Sequence, residues 1–131
     1  MGCNSHLTIE VKKEWYNGTR WETYALDIPE SRDYTIYELM AGVRGEEEKA
    51  LISPRGIPTD VDMSTKSWIE RWEGDVHTHS YLTAAEFRDV LDEYPATEIP
   101  DKAWLSLGKV LDTLEQIYGK DRARVVFFFD N

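Results

Sequence analysis

The chain has 131 residues, of which 41% are hydrophobic and 12% aromatic, and it carries a formal charge of −10. That length suits one domain spanning 1–131 with a core that needs no staple, and five Trp with seven Tyr argue against disorder. The negative balance disfavours a surface that tracks the phosphates of duplex nucleic acid, and no apolar run approaches a membrane span, so neither partner is expected.

The first elements read as a hairpin. His6 to Val11 alternates in polarity, Asn17-Gly18 is a strong two-residue turn signal, and Thr19 to Ile28 resumes an extended pattern. This predicts Val11 opposite Tyr24, Ile9 opposite Leu26 and Leu7 opposite Ile28, all on one face. The other face, with His6, Thr8, Glu10 and Lys12, is expected to be wet or to line a site. Tyr34 to Ala41 then has helical spacing, with Asp33 as cap and Gly42 just past its end. The prolines and glycine of Ile52 to Pro58 predict irregular chain, and Ser64 is placed to cap a short helix containing Trp68, Ile69 and Trp72.

Gly74 to Tyr81 follows as a predicted loop between helices, holding two of the three histidines. In an extended backbone, His77 and His79 would point the same way, and imidazole is both a common metal ligand and the side chain that titrates near neutral pH. Thr83 to Glu86 forms a capping box for a helix with the stripe Phe87, Val90, Leu91 and Tyr94, ended by Pro95. Trp104, Leu107, Leu111, Leu114 and Tyr118 mark a longer helix ending at Gly119. Arg124 to Asn131 is apolar on both faces, as an interior strand requires. Antiparallel pairing with the first strand would bring Asp130 and Asn131 beside Cys3, Asn4 and His6.

The fold class expected is therefore α+β: a small, mainly antiparallel sheet made from the N-terminal hairpin and the C-terminal strand, packed with about four helices. If the histidine loop closes over the sheet end, His6, Asp75, His77, His79 and Asp130 form a candidate divalent-metal set. The single cysteine, Cys3, excludes an intrachain disulfide, and no apolar stretch follows Met1-Gly2-Cys3 to make a secretory signal, so a reduced, cytoplasmic setting is expected.

The chain resembles a group of small bacteriophage-encoded proteins to which no reaction is assigned. The resemblance rests on the opening strand Met1 to Glu10, the Pro-Arg-Gly loop of Pro54 to Pro58, the Gly-Asp-x-His segment of Gly74 to Thr83, and the Phe-Asp-Asn ending of Val125 to Asn131. It implies a phage origin, hence action in an infected cell and a role in countering host defence, by binding a defence protein or by capturing or destroying its nucleotide-derived signal. For such a small anionic ligand, Arg44, Arg55 and Arg71 can hold phosphates and Gly56 permits close backbone approach. Trp68, Trp72 or Tyr81 can stack on a base, and His77, His79 and Ser80 supply further polar contacts.

Two other classes compete. A hydrolase would use a metal, or His6 and His77 as acid and base; His6-Leu7-Thr8 is similar to half of the His-x-Thr pattern of two-histidine phosphoesterases, but the second half is absent. An acidic decoy would present Glu46 to Glu48 to a basic defence protein. A homo-oligomer is compatible with each reading.

Overall fold

The organising element is Ala123–Asp130 (β4), whose first seven residues are all buried. A strand apolar on both faces belongs inside a sheet, and here it pairs on both sides. A computed structural model describes residues 2–131; Met1, which opens the first motif, lies outside the described residues. Four antiparallel strands run in the order β2-β1-β4-β3, with β1 at Asn4–Trp15, β2 at Gly18–Ala25 and β3 at Val76–Thr83. The expected antiparallel pairing of first and last strands is present and sets Asn4 opposite Asp130.

The hairpin register differs from the expectation. Tyr16 and Asn17 make the turn, Gly18 takes φ 124°, and Val11 faces Glu22 instead of Tyr24. The Asn-Gly signal marks the turn but does not dictate which two residues stay unpaired. A bulge between Ile9 and Glu10 then absorbs the difference: Ile9 faces Ala25 instead of Leu26, and the Ile28 amide still donates to the Leu7 carbonyl at 2.8 Å. Leu7, Ile9 and Val11 thereby remain on one face, while Trp21 and Thr23 join Lys12 and Glu10 on the other.

On the first face lie three helices: α1 (Tyr34–Ala41), α3 (Ala84–Asp92) and α4 (Lys102–Tyr118). Their apolar stripes, including Ile36, Tyr37, Phe87, Trp104 and Leu111, pack on Leu7, Ile9, Phe127 and Phe129. The end signals operate as read. The Asp33 carboxylate accepts from the Thr35 and Ile36 amides, Gly42 closes α1 in the left-handed region, and Thr83 with Glu86 forms the capping box of α3.

The second face is not wet. It is covered by α2 (Met63–Glu70), whose Trp68 and Ile69 pack on Val126 and Phe128. Asp62 rather than Ser64 is the N-cap residue of α2, and Trp72 lies just beyond its end. Thr8 and Glu10 are fully buried because this layer covers them.

Burying Glu10 requires compensation. The Arg124 guanidinium donates from Nη2 and Nε to Glu10 Oε1 at 2.7 and 2.9 Å, and the Asp62 amide donates to the other carboxylate oxygen at 2.9 Å. Asp60 accepts from Arg124 Nη1 at 2.9 Å, and the Trp21 ring lies 3.9 Å from the guanidinium carbon. Removing one partner strands a desolvated charge, whereas replacing both does not. Arg124→Met is expected to cost about 3–5 kcal/mol in urea unfolding, and adding Glu10→Met is expected to recover most of that loss.

Candidate functional site

The histidine segment is a strand, not a loop. The free side of β4 needs a hydrogen-bonding partner, and Val76–Thr83 supplies it as β3, an edge strand. The outer edge of β3 is covered in turn, since the Gly56 amide donates to the His79 carbonyl at 2.9 Å and the Arg55 amide donates to Ser80 Oγ at 3.0 Å.

Regular alternation breaks within this strand. A bulge between His77 and Ser80 places Thr78 at φ 56°, a left-handed conformation unfavourable for a β-branched residue. His77 therefore pairs with Phe129 on the three-helix face, while the His79 ring stacks on Phe128 on the α2 face, centroids 5.1 Å apart. The expectation that both imidazoles point the same way fails because of this bulge.

Each histidine has a separate environment. His77 Nε2 lies 3.2 Å from Asn131 Oδ1 and Nδ1 lies 2.8 Å from Thr78 Oγ1. An amide oxygen only accepts, so this bond places the His77 proton on Nε2 and leaves Nδ1 to accept from the Thr78 hydroxyl. His79 is held below its ordinary pKa, first by burial and second by the nearby His77. His6 is gripped between Trp72 and Phe128, with centroid distances of 3.9 and 5.0 Å. Its Nε2 stands 3.2 Å from Asp130 Oδ1, although neither atom makes an aligned hydrogen bond.

Around this sheet end two guanidinium groups gather. The Cys3 amide donates to the Tyr34 hydroxyl at 3.1 Å, and Arg44 lies 5.4 Å from the Tyr34 ring centroid. Arg32 donates to Asn4 Oδ1 at 2.8 Å and packs so closely on Gly2 that any side chain there would meet its guanidinium. The Cys3 thiol feels every charge in the cluster. Burial raises its pKa most, hydrogen bonding and charge from Arg44 oppose that, Asp130 adds to the rise and Arg32 lowers it. A buried thiol of raised pKa is a poor nucleophile.

Arg44 is placed by a constrained turn. It sits at φ 59°, and a Cβ on Gly42 would approach the Glu47 backbone at 2.7 Å. Such backbone strain is retained where the surrounding structure demands a particular side-chain direction.

Of the residues expected to bind ligand, Arg44, Trp72 and His77 reach this end of the sheet. Arg55, Gly56, Ser80 and Tyr81 do not: they hold the β3 edge. The Arg55 guanidinium forms a two-pronged pair with Glu86 and also donates to the Tyr81 carbonyl at 3.0 Å. His79 lies against Phe128, and Arg71 closes α2. His6 and Asp130 meet, whereas Asp75 contributes its carbonyl to the Asn131 amide at 3.4 Å. Among the described residues, no three His, Cys, Asp or Glu side chains are grouped to hold a metal ion, so the five-residue set does not assemble. Arg32 and Tyr34 carry no motif of a site in the sequence, and Asn4 is expected there only as a neighbour of the paired strand ends. The position of Arg32 just before a capped helix is its one signal.

Comparison of the chain with family models, curated proteins and solved structures finds no match. Among the described residues, no helix is long and apolar enough to cross a membrane.

Two outcomes follow from these environments. Because His79 is depressed in the folded state, its stabilising contribution is complete above its ordinary value of 6.5 and is lost as pH falls from there through the folded value. The urea midpoint should fall between about pH 7.5 and about pH 5.5, and His79→Phe should flatten that slope. Arg55→Ala should lower stability by about 1 kcal/mol while leaving ligand affinity unchanged, measured by unfolding and titration on the same preparation.

Proposed function

We propose that the protein binds and sequesters a small anionic, nucleotide-like ligand at the sheet end framed by Arg32, Arg44, His6, His77 and Asp130. The observation that carries this reading is the placement of two guanidinium groups beside the start of β1, Arg32 on Asn4 at 2.8 Å and Arg44 over the Tyr34 ring whose hydroxyl takes the Cys3 amide, in a chain whose net charge is −10. Guanidinium groups pair with phosphate through parallel hydrogen bonds, and a concentration of positive charge within an acidic molecule directs an anion to one place. Gly2 lets the backbone lie against Arg32, and the exposed Tyr34 ring offers a face for a base.

Binding without conversion is favoured because the acid–base groups are already engaged. Both ring nitrogens of His77 have partners, and His6 is packed between aromatic rings. A general base must reach the proton it removes. The 3.2 Å approach of His6 to Asp130 favours hydrolysis as the second reading, since a carboxylate can orient an imidazole. The resemblance to phage proteins extends the binding reading to capture of a defence signal in an infected cell.

Mass spectrometry of small molecules released on denaturation, with calorimetric titration of nucleoside monophosphates, diphosphates and cyclic dinucleotides, tests both readings. Sequestration returns the ligand intact; hydrolysis returns product. Arg32→Ala and Arg44→Ala should each weaken binding about 10- to 100-fold, the worth of one charge-assisted hydrogen-bonding group. Failure to detect any nucleotide by either method defeats the proposal.

A further inference from the structure

One edge of the sheet keeps open backbone groups. β3 is covered by Arg55 and Gly56, but β2 pairs only with β1. The Thr23 amide points away from β1, since it donates to Asp62 Oδ2 at 3.0 Å, and strand alternation turns the backbone of Trp21 and Thr19 the same way. Among the described residues, neither makes a backbone hydrogen bond on that side. An open edge accepts another strand unless something blocks it. Asp62 blocks Thr23, so the stretch from Gly18 to Glu22 is what remains for pairing.

These limits select an occupant and a register. In an antiparallel pair, outward backbone groups must face outward backbone groups. With Thr23 taken, two copies of β2 use both open positions only when Thr19 of one faces Trp21 of the other. Gly18 then stands opposite Glu22, so the incoming strand reaches its own hairpin turn where Asp62 closes the edge. The same register carries Tyr16, 99% exposed in the turn, toward Tyr24 of the other copy. There Tyr24, Val110, Leu114 and Ile117 line an open groove of about 250 Å³, with Ile117 67% exposed. Charge agrees with this contact. Residues 11 to 25 carry Lys12, Lys13 and Arg20 against Glu14 and Glu22, so the whole negative excess of the chain lies elsewhere. Arg20 faces its counterpart, but each lies diagonal to the other copy's Glu22 as well as 3.6 Å from its own. We infer that the chain forms a two-fold homodimer by antiparallel β2 to β2 pairing, with Tyr16 of each copy seated in the Tyr24 groove of the other. This dimer does not depend on the binding reading.

Analytical ultracentrifugation of the full chain, with cysteine cross-linking, is the test, and a species of twice the chain mass is expected. Tyr16→Asp alters a side chain that is exposed in the single chain, and should weaken the dimer about 30-fold or more, as loss of an interface anchor does. Thr19→Pro removes an outward amide and no bond within the hairpin, and should weaken it about tenfold. In dilute samples both variants should unfold at the parent's urea midpoint. Residue 20 faces its own counterpart across a pair without hydrogen bonds, where Cα atoms stand about 4.5 Å apart, so Arg20→Cys should oxidise to a cross-linked dimer and Glu22→Cys should not. A chain that stays single up to about 1 mM overturns the inference and leaves the edge to a strand from another protein. A dimer that survives Tyr16→Asp, or that cross-links through Glu22→Cys in preference to Arg20→Cys, overturns it as well.

Discussion

The fold depends on one strand being paired along both edges and covered on both faces. Because β4 is apolar on both faces from Val125 to Phe129, it can neither lie at a sheet margin nor expose a face, and this single requirement recruits everything around it. It takes β1 on one side and β3 on the other, three helices against Phe127 and Phe129, and α2 against Val126 and Phe128. Arg124 is the exception within the strand, and its burial explains the polar network of Glu10, Asp60 and Asp62 that anchors the loop leading into α2.

The same strand creates the candidate site where its apolar run stops. Asp130 and Asn131 emerge from the core between the start of β1 and the start of β3, so His6 and His77 meet the two terminal polar residues without any loop closing over them. The bulge at Thr78 assigns His77 and His79 to different tasks. His77 is hydrogen-bonded at the sheet end, and His79 becomes part of an aromatic stack whose burial disfavours its charged form. Catalysis by a close pair of imidazoles is correspondingly less well supported than recognition of charge by arginine.

Much of the architecture was legible because it rests on local chemistry. Asp33, Gly42, the Thr83 and Glu86 box, and the alternation of β1 each carry their own physical instruction, and the doubly apolar β4 announced an interior position. The histidine segment was misread because its strand character comes from a distant partner; Gly74, Asp75 and Ser80 favour turns, and only the open edge of β4 overrides them. The Asn17-Gly18 signal located the hairpin but not its register, since a bulge can absorb the offset. Arg55 illustrates the limit for sites. A Pro-Arg-Gly loop suits a phosphate, yet the guanidinium is spent on Glu86 and the Tyr81 carbonyl, a pairing invisible without the fold. Arg32 had no local signature because Gly2 and Asn4 reach it only after the sheet has formed.

The meeting of residues 3 to 6 with 130 and 131 also has a temporal side. A ribosome makes β1 well before β4, so the hairpin, α1 and α2 are made while the interior of the sheet is still missing. This sheet end cannot exist on a nascent chain that lacks β4. Its appearance coincides with closure of the contacts most distant along the polypeptide, which are the slowest to form. Formation of this sheet end therefore requires both β1 and β4 to have been made and paired.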